Sequence, residues 1–383
     1  MKKVFLLSLS MFALGFDAYI IAGLVPAISK TYQTDVAHVG LAVSLFTLCY
    51  AISAPLFSSL LAGKPLKKIL VYSLVVFTLA NGLTIISPTF FTFLLSRAIA
   101  GASAGLFSPL AVSAATQLVS NDKKGRAIGL TMGGMSTGTV VGVPIGLYIS
   151  NVSNWQACLF VLVVIGVIAS LGIFKWLPEF PASPPPALKE RLKMLVDQRV
   201  AITVMITFFA SIASLGLYTY LAPLIKEFST KESLTTFLWA WGFGGMIGSL
   251  LIGHVVDRCK NTKKLVTFIL VLLAISILCI PFVMSFPFFK YVPFFVWGAM
   301  GWACIAPQQH ALLRYQPENG SAAVALNSSV NYLGSSIGAT LGGVVLSLQL
   351  GTLPLIYFAA LSMIIALAVH VTFYTSVRGL PRY

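Results

Sequence analysis

Two charged side chains stand inside otherwise apolar sequence, and they are the first candidates for chemistry. Asp17 lies in the middle of the run Leu9–Ala27, and Arg97 heads the small-residue stretch Arg97-Ala-Ile-Ala-Gly101-Ala-Ser-Ala-Gly105. A carboxylate in such a run is either a structural group, neutral or satisfied by a neighbouring helix, or a group that binds a proton or a substrate. An arginine keeps its proton, so it must find acceptors or snorkel to an aqueous surface. A second candidate set is neutral. Asn327, Asn331 and Ser335 are spaced i, i+4, i+8, one polar stripe on a helix, and Gln308 lies in the preceding apolar run. Such a stripe faces a neighbouring helix or a water-filled cavity. Interhelical amide bonds average only about 0.6 kcal/mol, which favours a cavity and substrate contact. Tyr218, Trp239 and Trp302 are then the aromatic contacts, although Trp and Tyr also mark membrane interfaces. His254 and His310 read as interfacial, and Asn81 and Gln117 as packing or end-capping groups. The cysteines (Cys49, Cys158, Cys259, Cys279, Cys304) form no CxxC pair or Cys/His cluster, and HExxH, P-loop and GxSxG motifs are absent. No metal, cofactor or enzymatic chemistry is expected.

The elements that position these groups follow from composition. The 383 residues are 58% hydrophobic and 9% charged, with mean hydropathy +0.93. Soluble domains carry about a quarter charged residues, so the chain is of the membrane class, and all-α. A net charge of +15 would suggest nucleic acid in a soluble protein. Here the charges cluster in short gaps between apolar runs, so the expected partner is the lipid bilayer and no nucleic acid. Twelve runs of spanning length appear: 4–28, 38–62, 67–87, 89–116, 127–149, 155–177, 200–225, 233–256, 264–285, 288–313, 323–348 and 353–376. At about 1.5 Å per residue the first crosses a hydrocarbon core of about 30 Å and puts Asp17 near the midplane. There an ionised carboxylate costs about 2.5–3.5 kcal/mol on insertion scales. The start of the chain imitates a signal peptide. The run is long enough to span and shows no small-x-small cleavage site, so it is expected to be an uncleaved first span.

Lys and Arg fix the orientation. Of the 25, only Lys30, Lys226, Lys231 and Lys290 fall on one side and Arg97 within a span; the rest lie on the other, which is therefore cytoplasmic, with both termini. Asp17 is then about 16 Å, and Arg97 about 12 Å, from the outer ends of their spans, similar depths that make them candidate partners. The longest gap, 178–199, begins with a Pro-rich stretch and ends with Leu188–Val196, which could form a short surface helix. It divides the chain into 1–177, a cytoplasmic linker 178–199, and 200–383. Weak echoes between the halves, such as Tyr19…Pro26 and Tyr218…Pro223, point to an internal duplication of six spans.

Four stretches carry a family resemblance. Gly138-Thr-Val-Val-Gly142-Val-Pro144-Ile-Gly146 in the fifth span matches the antiporter motif of the drug:proton antiporter branch of the major facilitator superfamily; close helix packing alone would explain its glycines. Asp257-Arg258 after Gly253 resembles that superfamily's cytoplasmic loop motif, whose first-half counterpart is degraded, with Gly63 at the Asp position. Arg97…Gly105 resembles the motif with an intramembrane Arg, with Ala100 in place of the usual Gln. Trp297-Gly-Ala-Met-Gly-Trp302-Ala-Cys-Ile-Ala-Pro307-Gln308 looks like the tenth span of bacterial purine- and sugar-efflux relatives. The resemblance covers nearly the whole chain. It implies two pseudo-symmetric six-helix bundles around a central cavity, in a monomeric transporter of the bacterial inner membrane.

The expected function is export of a small organic compound (drug, nucleobase or sugar-like) by alternating access in exchange for protons. Asp17 would take a proton from outside and release it inward while Arg97 competes for the carboxylate. An importer or facilitator of the same fold, a channel, and a membrane enzyme or sensor are the rival readings.

Overall fold

A backbone in hydrocarbon must satisfy its own hydrogen bonds, and over most of this chain it does so as α-helix. The computed structural model describes residues 2–57, 64–120, 123–179, 188–228, 233–259, 261–287 and 289–376, and no strand occurs among them. The helices are α1 (Lys2–Tyr32), α2 (Val36–Phe57), α3 (Leu66–Ile86), α4 (Phe90–Gln117), α5 (Lys124–Thr137), α6 (Val143–Val152), α7 (Trp155–Trp176), α8 (Leu188–Lys193), α9 (Gln198–Thr219), α10 (Leu221–Phe228), α11 (Leu234–Arg258), α12 (Thr262–Val283), α13 (Val292–Ala303), α14 (Ile305–Tyr315), α15 (Gly320–Ser347) and α16 (Leu353–Ser376). Among the described residues, eleven helical stretches are long and apolar enough to cross a membrane. The twelfth expected span, α15, has 28 residues and so the length, but it carries the polar stripe at Asn327, Asn331 and Ser335. The second expected span ran to residue 62; its helix is described to Phe57, and 58–63 lie outside the described residues.

Three expected spans are interrupted, and each interruption lies four residues before a proline. Proline lacks the N–H that would bond to that carbonyl, and its ring crowds it. Pro144 answers to Val140, inside a π-helical turn, Gly138–Gly142, that joins α5 to α6. Pro223 answers to Thr219, where α9 ends, and Pro307 to Ala303, where α13 ends. Pro26, Pro55, Pro109 and Pro281 are absorbed inside continuous helices, so the proline is necessary here but not sufficient. Leu188–Val196 is a short helix followed by a 3₁₀ turn. The Pro-rich residues 180–187 lie outside the described residues.

The chain divides into two compact units, Met1–Leu188 and Lys189–Tyr383. In the first, α1 packs on α5, the π turn and α7, α2 on α4, and α3 on α4 and α7. In the second, α9 packs on α15 and α16, α11 on α13, and α12 on α13 and α16, the same pairing among the corresponding spans. The duplication extends to the seams. Gly134 and Gly138 lie against the Ser8 and Phe12 carbonyls of α1, and Gly334 and Gly338 lie against the Phe208 and Ile212 carbonyls of α9. Glycine is required where two helix backbones come this close.

Candidate functional site

In the first unit the structure brings Asp17 and Arg97 into contact. Asp17 of α1 is fully buried and Arg97 of α4 is 1% exposed. The Arg97 Nη1 donates to Asp17 Oδ1 at 2.8 Å and to Asn81 Oδ1 of α3 at 3.0 Å. The Asn81 amide returns the connection: its Nδ2 donates to the Phe77 carbonyl at 3.0 Å and, more weakly, to Asp17 Oδ2 at 3.3 Å. The guanidinium also lies 4.7 Å from the Phe46 ring centre of α2, a cation–π contact that reaches about 2 kcal/mol when desolvated. Arg97 Nε has no hydrogen-bond partner among the described residues. Arg97 therefore does not snorkel; it is held inward by groups on three other helices, α1, α2 and α3. Removing one member of a buried ion pair leaves the other uncompensated, at a cost of about 3–5 kcal/mol. Asn81, read from the sequence as a packing or end-capping group, is a full member of the site.

The height of Asp17 is set by α5, the π turn and α6. Gly15, two residues before it, faces the Met135 carbonyl, and Thr139 Oγ1 donates to the Gly15 carbonyl at 3.4 Å. Gly138 faces the Phe12 carbonyl, while Gly142 and Gly146 face the ring of Phe16, the residue next to Asp17. Pro144 follows the π turn Gly138–Gly142, at the start of α6. Gly138, Gly142 and Gly146 thus form the bed on which the Asp17 helix rests.

In the second unit, Gln308, Asn327 and Asn331 meet α9. Thr207 Oγ1 bonds both Gln308 Oε1 and Asn327 Oδ1, Ser211 Oγ donates to Asn331 Oδ1, and Gln308 Nε2 reaches Cys304 Sγ at 3.1 Å. One hydroxyl hydrogen cannot serve two amide oxygens, so one of the two amides must turn its NH₂ toward Thr207. Gln308 and Asn327 are buried, Asn331 half-buried. The stripe therefore faces a neighbouring helix in this conformation, the alternative to the cavity that the residues left open. Thr207 and Ser211 were not singled out, although their i, i+4 spacing on the seventh span was readable.

The aromatic residues divide. Tyr218 packs on Trp241 at 4.4 Å between ring centres, and Trp302 meets the same ring edge-on at 6.0 Å. Trp297 completes the group and donates its indole N–H to Ser214 Oγ at 2.7 Å. Tyr218 is buried in this cluster, and Trp302 is half-exposed at its border. Trp239 stacks instead on Phe243, and it is Trp241, two residues on, that joins Tyr218 and Trp302. Among the loop-motif residues, Gly253 and Arg258 lie on the last turns of α11 and are exposed; the Asp257 side chain and Gly63 lie outside what is described. His254 and His310 are exposed. Among the described residues no group of three His, Cys, Asp or Glu side chains could hold a metal ion.

The model of the Major Facilitator Superfamily matches residues 7–339. The chain is similar to the inner membrane transport protein YdhP of Escherichia coli K12, 30% identical over 90% of this chain and 89% of that one. It is similar to the uncharacterized MFS-type transporter YbcL of Bacillus subtilis 168, 27% identical over 98% and 96% of the two chains. It is also similar to a probable sugar efflux transporter of Helicobacter pylori 26695, 25% identical over 92% and 90%.

Proposed function

The chain belongs to the Major Facilitator Superfamily, as a multi-pass membrane transporter and not an enzyme, and on that premise we propose that it exports a small organic compound across a bacterial inner membrane in exchange for protons. The observation that carries the proposal is the buried Asp17–Arg97 pair, a carboxylate–guanidinium contact at 2.8 Å with both side chains at most 1% exposed. Intramembrane ionisable pairs of this kind mark proton and ion pathways. A proton entering from the outer side neutralises Asp17 and frees Arg97; release of that proton inward restores the pair. A potential of 100 mV contributes about 2.3 kcal/mol per charge moved, before any pH gradient.

Export is supported by the antiporter motif under α1 and by the relative named as a probable sugar efflux transporter. The relative named as an inner membrane transport protein supports the location. Both termini are cytoplasmic in this reading, and the protein acts as a monomer by alternating access. Gln308, Asn327 and Asn331 bind the substrate through amides that exchange their bonds to Thr207 and Ser211 for bonds to it, with Tyr218, Trp239 and Trp302 as aromatic contacts. Neutral amides beside aromatic rings suit drugs, nucleobases or sugar-like molecules. A growth-inhibition panel in an efflux-deficient host tests the proposal, comparing wild type with Asp17→Asn. Wild type raises tolerance to at least one compound and the variant does not. For that compound, proton-driven uptake into inverted vesicles that survives Asp17→Asn undiminished would overturn the role of Asp17.

A further inference from the structure

Arg97 cannot lose its charge, so every protonation of Asp17 leaves a buried guanidinium to be satisfied by something else. Two neutral groups are already in position. Asn81 Oδ1 accepts from the same Nη1 that holds Asp17, at 3.0 Å, and the face of Phe46 lies on the other side at 4.7 Å. Asn81 is itself fixed, because its Nδ2 donates to the Phe77 carbonyl one turn back on α3. We propose that Asn81 is the positioning residue that holds Arg97 while Asp17 is protonated, so that its carbonyl governs how readily the carboxyl takes up its proton.

This rests on the reading that Asp17 is the proton carrier. Asn81 acts on Asp17 in two opposed ways. As an acceptor for Arg97 it substitutes for the carboxylate and favours protonation. As a donor to Asp17 Oδ2 it favours the ionised form. The acceptor effect wins on geometry: the bond to the full cation is 3.0 Å long, while 3.3 Å is past the ordinary range for an N–H···O bond. Among the described residues of the first unit, neither Asp17 nor Arg97 makes another ion pair. Of the other titratable side chains on the packed elements, Cys158 of α7 is buried and Tyr19 of α1 is half-buried. The stretch 124–152 packed along α1 carries Lys124, Arg126 and the exposed Tyr148, with none of them at the pair.

The experiment needs no knowledge of the substrate. In the purified protein in lipid nanodiscs, the infrared stretch of a protonated carboxylic acid is titrated against pH, with Asp17→Asn identifying the Asp17 band. Thermal midpoints are measured for wild type, Asp17→Asn, Asn81→Leu and the double variant. The Asp17 band of Asn81→Leu appears only at lower pH than in wild type. Asn81→Leu lowers the midpoint at least twice as far in the Asp17→Asn background as in wild type. Should Asn81→Leu fail to fold, Asn81→Ala, which also removes the carbonyl acceptor, serves in the same two measurements. An unmoved band with equal midpoint losses in both backgrounds overturns the proposal while leaving Asp17 as the carrier. A wild type with no Asp17 band at any pH removes the carrier reading itself.

Discussion

Gly15 and Gly82 are each within two residues of the buried pair or its amide, and alanine at the two should have opposite consequences. A β-carbon on Gly15 would lie 2.1 Å from the Met135 carbonyl oxygen, a backbone atom that no rotamer can move. A carbon and a carbonyl oxygen approach to about 3.3 Å, so α1 and α5 must separate by about 1.2 Å. Overpacking of this kind costs about 1–3 kcal/mol. That should lower the thermal midpoint by about 2–12 °C on the scale of soluble domains of 150–250 residues. A β-carbon on Gly82 would meet nothing within 4 Å, and alanine there should change stability by less than about 1 kcal/mol. Thermal unfolding of both variants in nanodiscs decides the matter. A Gly15→Ala midpoint within a degree of wild type, or a Gly82→Ala loss as large as that of Gly15→Ala, refutes the account of the seam.

Two further outcomes are expected. Cys259 is partly exposed in the gap after α11, whereas Cys158 and Cys304 are buried. A membrane-impermeant maleimide should therefore label Cys259 in inverted vesicles and not in right-side-out vesicles; the reverse pattern would invert the topology. Asp197 caps α9 through the Arg199 N–H at 2.9 Å and accepts from the Arg199 guanidinium and from Gln316. Burial pushes its carboxyl up, but the bonds from Arg199 outweigh it and hold the group below its ordinary value. Because the folded-state pKa is the lower one, its stabilisation is present at neutral pH and disappears as pH falls through that value. Asp197→Ala should cost about 1 kcal/mol at neutral pH and little in strong acid, measured by chemical denaturation.

The depth of each span was legible because rise per residue is fixed, and that alone brought Asp17 and Arg97 to the same level. Asn81 was not legible. An amide in a span has too many uses, and only the rotation of α3 about its axis, which hydropathy along an apolar helix does not define, aims it at the pair. The same ambiguity applies to Trp239 and Trp241: residues two apart on a helix point about 200° from one another, so Trp241 and not Trp239 packs on Tyr218 and Trp302. The breaks after Thr219 and Ala303 were foreshadowed by Pro223 and Pro307, but Pro26 and Pro55 show that the same residue is absorbed elsewhere. Packing decides between the two.

The π turn at Gly138–Gly142 also works as a correction of angular register. Glycines four apart on an α-helix advance about 40° at each step, so three steps carry the last about 120° away from the first. A wider turn holds one residue more and sets everything after it back by about 100°, which nearly cancels that drift. Gly134, Gly138, Gly142 and Gly146 accordingly all face α1, against Ser8, Phe12 and Phe16 in succession. The corresponding helix α15 has no such turn; its series of glycines four apart, Gly334, Gly338 and Gly342, ends there, and Leu346 takes the fourth place. The helix that carries the buried carboxylate is therefore the one whose neighbour is re-phased to follow it over three helical turns.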